Sequence, residues 1–221
     1  MIEVSNEYVS NHGLSFNPSK TECIIFGECY FTERPVWHLN RDILKECDVL
    51  KYLGVNLSHR KPHAHVNERS SACRKAFYAL QGAGLCNLET NVDTASYVWK
   101  TAIRPVMTYG LNTVKTDKKR MNELESMQGK LVKAMFGLHK YCRSKPLLKA
   151  LRIPSMESIV DVMNIDLLCQ IFHNNSRARC FYIYCYNKVL NEREFISTGL
   201  LGRARDICSK YNVNVMKYPF D

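Results

Sequence analysis

The sequence predicts an α+β protein in which a small antiparallel sheet precedes an all-α helical bundle. Residues 14–58 form short apolar runs interrupted by glycine and proline, as expected for short strands. From about Glu68 onward, apolar residues recur with the 3.6-residue period of a helix. Between these regions lies a basic stretch that contains Pro62, a residue that interrupts regular structure. This change of pattern places the boundary between the two parts near residue 60.

The length of 221 residues is enough for one domain or for two small ones. The predicted division has four parts. They are a strand-rich domain at 1–58, a basic linker at 59–66, a helical domain at 67–173 and a helical C-terminal extension at 174–221.

The first elements of the strand-rich part follow from local signals. Residues 1–12 are expected to form one helix, which Gly13 ends with a positive φ. The turn-forming run Asn17-Pro18-Ser19 lies between apolar residues on both sides, so residues 14–26 predict a β-hairpin. A second β-rich run at 50–57 has Tyr52-Leu53-Gly54 at its centre.

Helices are predicted over about 68–82, 91–109, 116–136, 155–171, 177–191 and 202–211. Asn91 or Asp93 caps the second, and Pro105 is expected to kink or shorten it. Thr116 or Asp117 begins the third, and Ser155 caps the fourth. The periodicity predicts these inward-facing residues in the second, third and fourth helices: Val98, Ala102, Ile103; Met121, Leu124, Gln128, Leu131, Met135, Phe136; Ile159, Val160, Met163, Leu167, Ile171.

Composition narrows the class of protein. The N-terminus lacks the basic and apolar regions of a signal peptide, and no uncharged run approaches the roughly 18 residues of a spanning helix. A non-secreted, intracellular protein without membrane segments is therefore expected. Ten scattered cysteines without a Cys-x-x-Cys pair are interpreted as reduced thiols. Neither the histidines at 59–65 nor the Cys/His residues at 169–185 have the paired spacing of a structural zinc site, so no metal site is predicted.

The net charge of +10 is concentrated in one part of the chain. Residues 100–149 hold twelve Lys/Arg against three Asp/Glu. Such localised positive charge indicates a polyanionic partner. The alternative is a solvated helix face, although such a face ordinarily interleaves both signs of charge. The third predicted helix carries several of these cations on its outer face: Lys118, Lys119, Arg120, Lys130 and Lys133.

Four motifs, in order, resemble the reverse transcriptases of non-LTR (LINE-type) retrotransposons. The run from Gly13 to Thr21 (GLSFNPSKT) is similar to a palm hairpin of that family, and Tyr52-Leu53-Gly54 is similar to its primer-grip turn. Residues 104–110 (RPVMTYG) resemble a helix-ending motif, and 127–137 (MQGKLVKAMFG) resemble the following basic helix. The resemblance covers about residues 1–173.

The resemblance implies the end of a polymerase palm followed by a thumb-like helical bundle. It implies that Lys20 lies near the pyrophosphate leaving group as its general acid, and that Tyr52 and Gly54 hold the primer end. It also implies phosphate contacts from the thumb. The nucleic-acid-binding candidates are Tyr52, Gly54, Lys100, Arg104, Lys118, Lys119, Arg120, Lys130 and Lys133. The alternatives are a solvated Lys20 in a polar turn and a Tyr52 that packs in a strand.

The complete enzymes of this family synthesise DNA on RNA with Mg²⁺, which is held by a Y-A-D-D turn and a further aspartate. This chain starts after the place of that turn, and no two acidic residues are adjacent in it. Alone it is expected neither to polymerise nor to need a cofactor, and the missing upstream polymerase portion is a possible partner. The predicted capacity is binding of RNA or an RNA–DNA hybrid without sequence preference. The alternative is a helical interaction protein or an inactive retroelement remnant.

Overall fold

A computed structural model describes residues 2–26, 36–39, 42–58, 60–114 and 116–174, together with 177, 179–180, 183, 206–207 and 209–212. The chain divides into two compact units, residues 1–65 and 66–221. At this level the α+β prediction is confirmed: small sheets occupy the first unit and helices the second.

The first unit begins with helix α1, Ile2–Asn11, as predicted. Gly13 ends it at a φ of +67°, with the amide of Leu14 donating to the carbonyl of Val9. The predicted hairpin at 14–26 is wrong. The Asn17 side chain accepts from the amide and hydroxyl of Ser19 and caps a 3₁₀ turn, Pro18–Lys20. Residues 14–16 before this turn form no strand, and Glu22–Cys23 after it pairs with a later segment instead.

Six short strands follow: β1 Glu22–Cys23, β2 His38–Leu39, β3 Asp42–Ile43, β4 Lys45–Glu46, β5 Leu50–Tyr52 and β6 Val55–Leu57. β2 pairs with β3 and β5 with β6, both antiparallel, whereas β1 pairs with β4 in parallel. The buried apolar side chains described in this unit are few, chiefly Leu39 and Leu44. Exposed ion pairs from Asp48 to Arg60 and Lys61 fasten the chain that follows β6, and the hydrogen bond with Lys61 lowers the pKa of Asp48.

The second unit begins with two long helical segments. α2, Ala64–Gly82, begins earlier than predicted and spans the division between the units. After it, α3 (Val92–Val98), a π-helical turn (Trp99–Ile103) and α4 (Arg104–Thr108) run on without a break. The side chain of Asn91 accepts from the amide of Asp93 and caps α3, as predicted.

Pro105 does not shorten this helix. A proline inside an α-helix lacks an amide hydrogen and crowds the carbonyl four residues earlier. The π turn widens the preceding helix, and the amide of Arg104 bonds the carbonyl of Trp99, five residues back. Ile103 is buried, as predicted, and so is Trp99. Ala102, which was also predicted to face inward, is exposed.

Three more helices follow in this unit: α5 Lys118–Met135, α6 Ser144–Ala150 and α7 Met156–Asn174. Asp117 caps α5 by accepting from the amide of Arg120 at 2.7 Å, and Ser155 accepts from the amide of Ser158 in the first turn of α7, as predicted. The core of the unit is formed chiefly by Phe77, Trp99, Ile103, Met107, Leu124, Val132, Met135, Met156 and Leu168.

The buried face of α7 differs from the predicted one. Met156, Val160, Asn164 and Leu168 are buried at intervals of four residues. Of the predicted inward-facing set, only Val160 is fully buried, and the others are half-buried. Apolar periodicity does not predict this buried face, because one of its residues, Asn164, is polar.

Most of the predicted helices 177–191 and 202–211 lies outside the described residues. Those described, 177, 179–180, 183, 206–207 and 209–211, are helical. The seven cysteines that the structure describes are free thiols, as predicted; burial raises the pKa of the Cys73 thiol to about 11. Among the described residues, no helix is both long and apolar enough to cross a membrane.

Alanine substitutions at two glycines of the helical unit should have opposite effects on the free energy of unfolding. A Cβ at Gly129 would lie 2.6 Å from Oγ and 2.7 Å from Cβ of Ser144, whereas a Cβ at Gly82 would meet nothing within 4 Å. We expect Gly129→Ala to lower the free energy of unfolding by about 1–3 kcal/mol through overpacking. Gly82→Ala should raise it by about 0.5–1 kcal/mol through helix propensity. Urea denaturation measures both.

A double mutant tests whether the contact between Gly129 and Ser144 causes the loss of stability. If contact with Ser144 causes the loss, Gly129→Ala should be much less harmful in a Ser144→Gly background. An equal loss in both backgrounds would place the cause elsewhere.

Candidate nucleic-acid interface

The most unusual electrostatic feature of the chain is a segment without carboxylates. Residues 126–156, here called the basic segment, contain seven Lys/Arg and no Asp or Glu. The segment covers the C-terminal half of α5, the loop after it, α6 and the connection to α7. Six of its cations are exposed: Lys130, Lys140, Arg143, Lys145, Lys149 and Arg152.

These six cations lack carboxylate partners among the described residues. Several other cations of the chain are paired. Nη1 of Arg120 lies 2.6 Å from Oε2 of Glu123. The ammonium of Lys210 contacts the carboxylates of Glu157 and Asp161. Lys145 and Lys149 are four residues apart on α6, so their like charges face the same side and repel each other. An anionic partner would remove this repulsion.

The seventh cation, Lys133, is buried. Its predicted place on the outer face of α5 is therefore wrong. Only 8% of the residue is exposed, and its ammonium donates to the carbonyl oxygens of Lys140 at 2.7 Å and Cys142 at 3.2 Å. Lys133 thus fastens the loop after α5 to the helix. Spacing alone could not distinguish this role from that of an exposed lysine.

The loop begins at a defined helix end. Gly137 has a φ of +59° and its amide donates to the carbonyl of Ala134, while the amide of Leu138 donates to the carbonyl of Lys133. This is the paired hydrogen-bond pattern of a Schellman cap. Beyond it, Tyr141 is 79% exposed, with the ammonium of Lys140 5.0 Å from its ring centre. An exposed aromatic ring among cations suits stacking on a base or sugar.

The far end of the basic segment is fastened by three hydrogen bonds. Ser96 of α3 donates its hydroxyl to the carbonyl of Leu151 at 3.2 Å. From α5, Gln128 donates to the carbonyl of Pro154, and the carboxylate of Glu125 accepts from the amide of Met156 at 2.7 Å. The connection between α6 and α7 is therefore held against two other helices.

Arg152 lies within this fastened connection and has a strained backbone. Its φ is +52°, a left-handed conformation that glycine or asparagine usually adopts at this place in a helix cap. The amides of Arg152 and Ile153 donate to the carbonyls of Lys149 and Leu148, which makes a second Schellman cap. Its side chain is exposed. Unfavourable backbone conformations of this kind persist only where the surrounding structure holds them, and they are enriched at functional sites.

The other candidates on the helical unit have varied surroundings. Lys119 is exposed at the start of α5, Arg120 is paired with Glu123, and Lys118 lies beside a cavity that also contains carboxylates. Lys100 and Arg104 are half-buried at the π turn. Burial lowers the pKa of Arg104, although a guanidinium remains charged at neutral pH.

Of the candidates in the first unit, Lys20 and Tyr52 are exposed and Gly54 is half-buried. Lys20 ends the 3₁₀ turn, and Tyr52 is 61% exposed on β5. Leu53 and Gly54, both with positive φ, form the two-residue turn between β5 and β6. Leu53 is 76% exposed there. The apolar side chain and the strained backbone together make it an unusual turn residue.

Within the described part of the chain, no group of three or more His, Cys, Asp or Glu side chains is placed to hold a metal ion. Comparison with models of protein families, with curated proteins and with solved structures found no match.

The buried ammonium of Lys133 yields a test of the loop. We expect Lys133→Met to lower the free energy of unfolding by about 1–2 kcal/mol, because two carbonyls lose a charged donor. Amide hydrogen exchange in residues 138–143 should accelerate at the same time. Lys130→Met, on the same helix but exposed, is the matched control and should change stability by less than about 0.5 kcal/mol. Unchanged exchange in Lys133→Met would contradict the role.

Proposed function

We propose that the helical unit binds the sugar-phosphate backbone of nucleic acid without reading sequence, and that the basic segment makes the contact. The observation that carries this proposal is the run of 31 residues, 126–156, with seven cations and no carboxylate. Phosphate contacts need positive charge and reach, and they supply most of non-specific affinity.

The way these cations are held supports the proposal. The backbone of the segment is held by Lys133 and by the close packing at Gly129. Ser96 and Gln128 donate hydrogen bonds to it, and Glu125 accepts one from it. The charged ends of its lysines and arginines remain exposed. A fixed backbone with exposed charges loses less conformational entropy on binding than a flexible basic tail.

The four motifs described in the sequence analysis suggest the kind of enzyme in which this nucleic-acid binding would serve. We propose that the chain is a portion of an RNA-directed DNA polymerase of the non-LTR retrotransposon type. In this proposal the helical unit is its thumb, and the bound nucleic acid is a template–primer duplex of RNA and DNA. Lys20, Tyr52 and Gly54 would serve the palm side of the same enzyme. Chemistry by such an enzyme requires metal-binding carboxylates from the upstream palm.

Salt-dependent binding tests the proposal. For a short RNA–DNA hybrid we expect log Kd to rise steeply with log salt concentration. In the variant Lys140→Gln, Arg143→Gln, Lys145→Gln, Lys149→Gln, the slope should fall by up to about 3.6, at roughly 0.9 per phosphate contact. The matched control carries Lys45→Gln, Lys61→Gln, Arg74→Gln and Lys75→Gln, none of which is a binding candidate. It loses the same charge from exposed positions outside the basic segment and should retain most of the slope.

The outcomes distinguish the proposal from its alternatives. If the salt slope falls equally in the two variants, the net charge of the protein, and not the basic segment, drives binding. If the wild-type protein fails to bind even at low salt, the helical unit has no nucleic-acid function, and a role as an interaction module or an inactive remnant remains. A duplex of scrambled sequence should bind as well as any other.

Arg152 gives an independent prediction in which stability and binding change in opposite directions. Asparagine tolerates a φ of +52° better than arginine, so Arg152→Asn should leave the free energy of unfolding unchanged or raise it by up to about 1 kcal/mol. It should weaken binding of the hybrid and reduce the salt slope by about 0.9. Arg152→Lys keeps the charge and should retain the slope. Weaker binding together with lost stability in Arg152→Asn would show only a structural role.

A further inference from the structure

The tyrosine in the loop after α5 is carried by a fixed backbone. The amide of Cys142 donates to the carbonyl of His139 at 2.9 Å, so the four residues from one to the other form a hydrogen-bonded turn with Tyr141 at its third position. The buried ammonium of Lys133 binds the carbonyls of Lys140 and Cys142, one on each side of the tyrosine. The position of this side chain is therefore set by the turn and by a cation beneath it.

The ring itself is uncovered, although its backbone is fixed. Tyr141 is 79% exposed, a larger fraction than for the other large apolar or aromatic residues that the structure describes. The imidazole of His139 lies 5.0 Å away between ring centres but is tilted by 46°, so it does not stack flat on the tyrosine. A tyrosine has only two side-chain torsion angles and loses little conformational entropy when a partner covers it. The ring is thus prepared to pack against a flat surface.

The charges around the ring select the class of partner. Lys140 and Arg143 flank Tyr141, Lys145 follows on α6, and no carboxylate occurs between residues 126 and 156. These three cations are exposed, and the ammonium of Lys140 lies 5.0 Å from the centre of the tyrosine ring. A purely apolar partner would have to remove water from the cations without replacing it. A nucleotide joins a flat aromatic base to an anionic phosphate and so suits both the ring and the cations.

The nucleotide must be unpaired. Inside a duplex each base is covered by its neighbours in the stack, whereas the bases of single strands are open and stack on aromatic side chains. We propose that Tyr141 stacks on the base of an unpaired nucleotide, and that the helical unit consequently binds a duplex with a single-stranded extension more tightly than a blunt one. Every base has a π face, so the site selects single strands and not a sequence. This inference rests on the proposed nucleic-acid function and adds to it the kind of nucleic acid that is preferred.

Equilibrium binding of the full chain to three forms of one RNA–DNA hybrid tests the site. The first form is blunt, the second has a short oligothymidylate extension, and the third has an abasic extension with the same number of phosphates. We expect the thymidylate form to bind at least about fivefold more tightly than the abasic form, the effect of stacking one base on an aromatic ring. Tyr141→Ala should abolish this difference and leave the affinity and salt slope for the blunt form unchanged, because it removes no charge.

Two further variants separate the ring from other effects. Tyr141→Phe keeps the ring and should keep the preference for the thymidylate form. Tyr97→Ala removes a tyrosine that is 67% exposed on α3, outside the basic segment, and should also keep it. Because both tyrosines are exposed, the melting temperature should be unchanged in all three variants.

The outcomes distinguish this inference from the proposed function on which it rests. Equal binding of the thymidylate and abasic forms by the wild-type protein would overturn the stacking site, and so would equal losses of preference in Tyr141→Ala and Tyr97→Ala. In either case, salt-dependent binding of the blunt form would still uphold the proposed function. Failure to bind any of the three forms at low salt would overturn both.

Discussion

The close approach of α5 and α6 at Gly129 is the constraint on which the geometry of the basic segment depends. The space at this position leaves no room for a side chain, because Ser144 Oγ and Cβ would lie within 2.7 Å of any Cβ there. A wider separation would carry α6 away from α5 and loosen the loop whose carbonyls Lys133 holds. It would also strain the connection that Gln128, one residue before the glycine, bonds at Pro154. Because residue 129 has no side chain, α5 and α6 can pack closely, and the hydrogen bonds of Lys133 and Gln128 can form at the same time.

Several features of the basic segment lower the stability of the folded protein. Lys145 and Lys149 repel each other on α6, Arg152 holds a left-handed backbone, and the sequence supplies no carboxylate between residues 126 and 156. Elsewhere in the described chain, Arg120 and Lys210 have carboxylate partners at 2.6–2.8 Å. A surface that serves only solubility interleaves charges of both signs. Uncompensated charge on a fixed backbone supports the proposed anionic partner, which would compensate this charge on binding.

Local chemistry made several elements predictable, whereas contacts between distant residues did not. Asn91, Asp117 and Gly13 act within a few residues of their own helix ends, and their roles followed from residue type. The π turn that accommodates Pro105 was not predictable, because the alternative of a kink satisfies the same sequence. Lys133 and Asn164 were assigned wrongly or missed because their polarity suggests exposure. Their burial depends on partners or space that only the packed helices provide.

The charge along α5 opposes its helix dipole at one end and follows it at the other. The positive end of the dipole lies at the N-terminus, where Lys118, Lys119 and Arg120 are unfavourable. The Asp117 cap and the Glu123 ion pair offset this at the same end, and the carboxylates of the cavity beside Lys118 lie close by. At the C-terminal end, Lys130 and Lys133 follow the dipole, and no carboxylate is present. The first end of α5 therefore carries both signs of charge, whereas the second carries cations alone and suits an anionic partner. Since α5 is 18 residues long, about 27 Å at 1.5 Å per residue, screening in physiological salt largely isolates the charges of one end from those of the other.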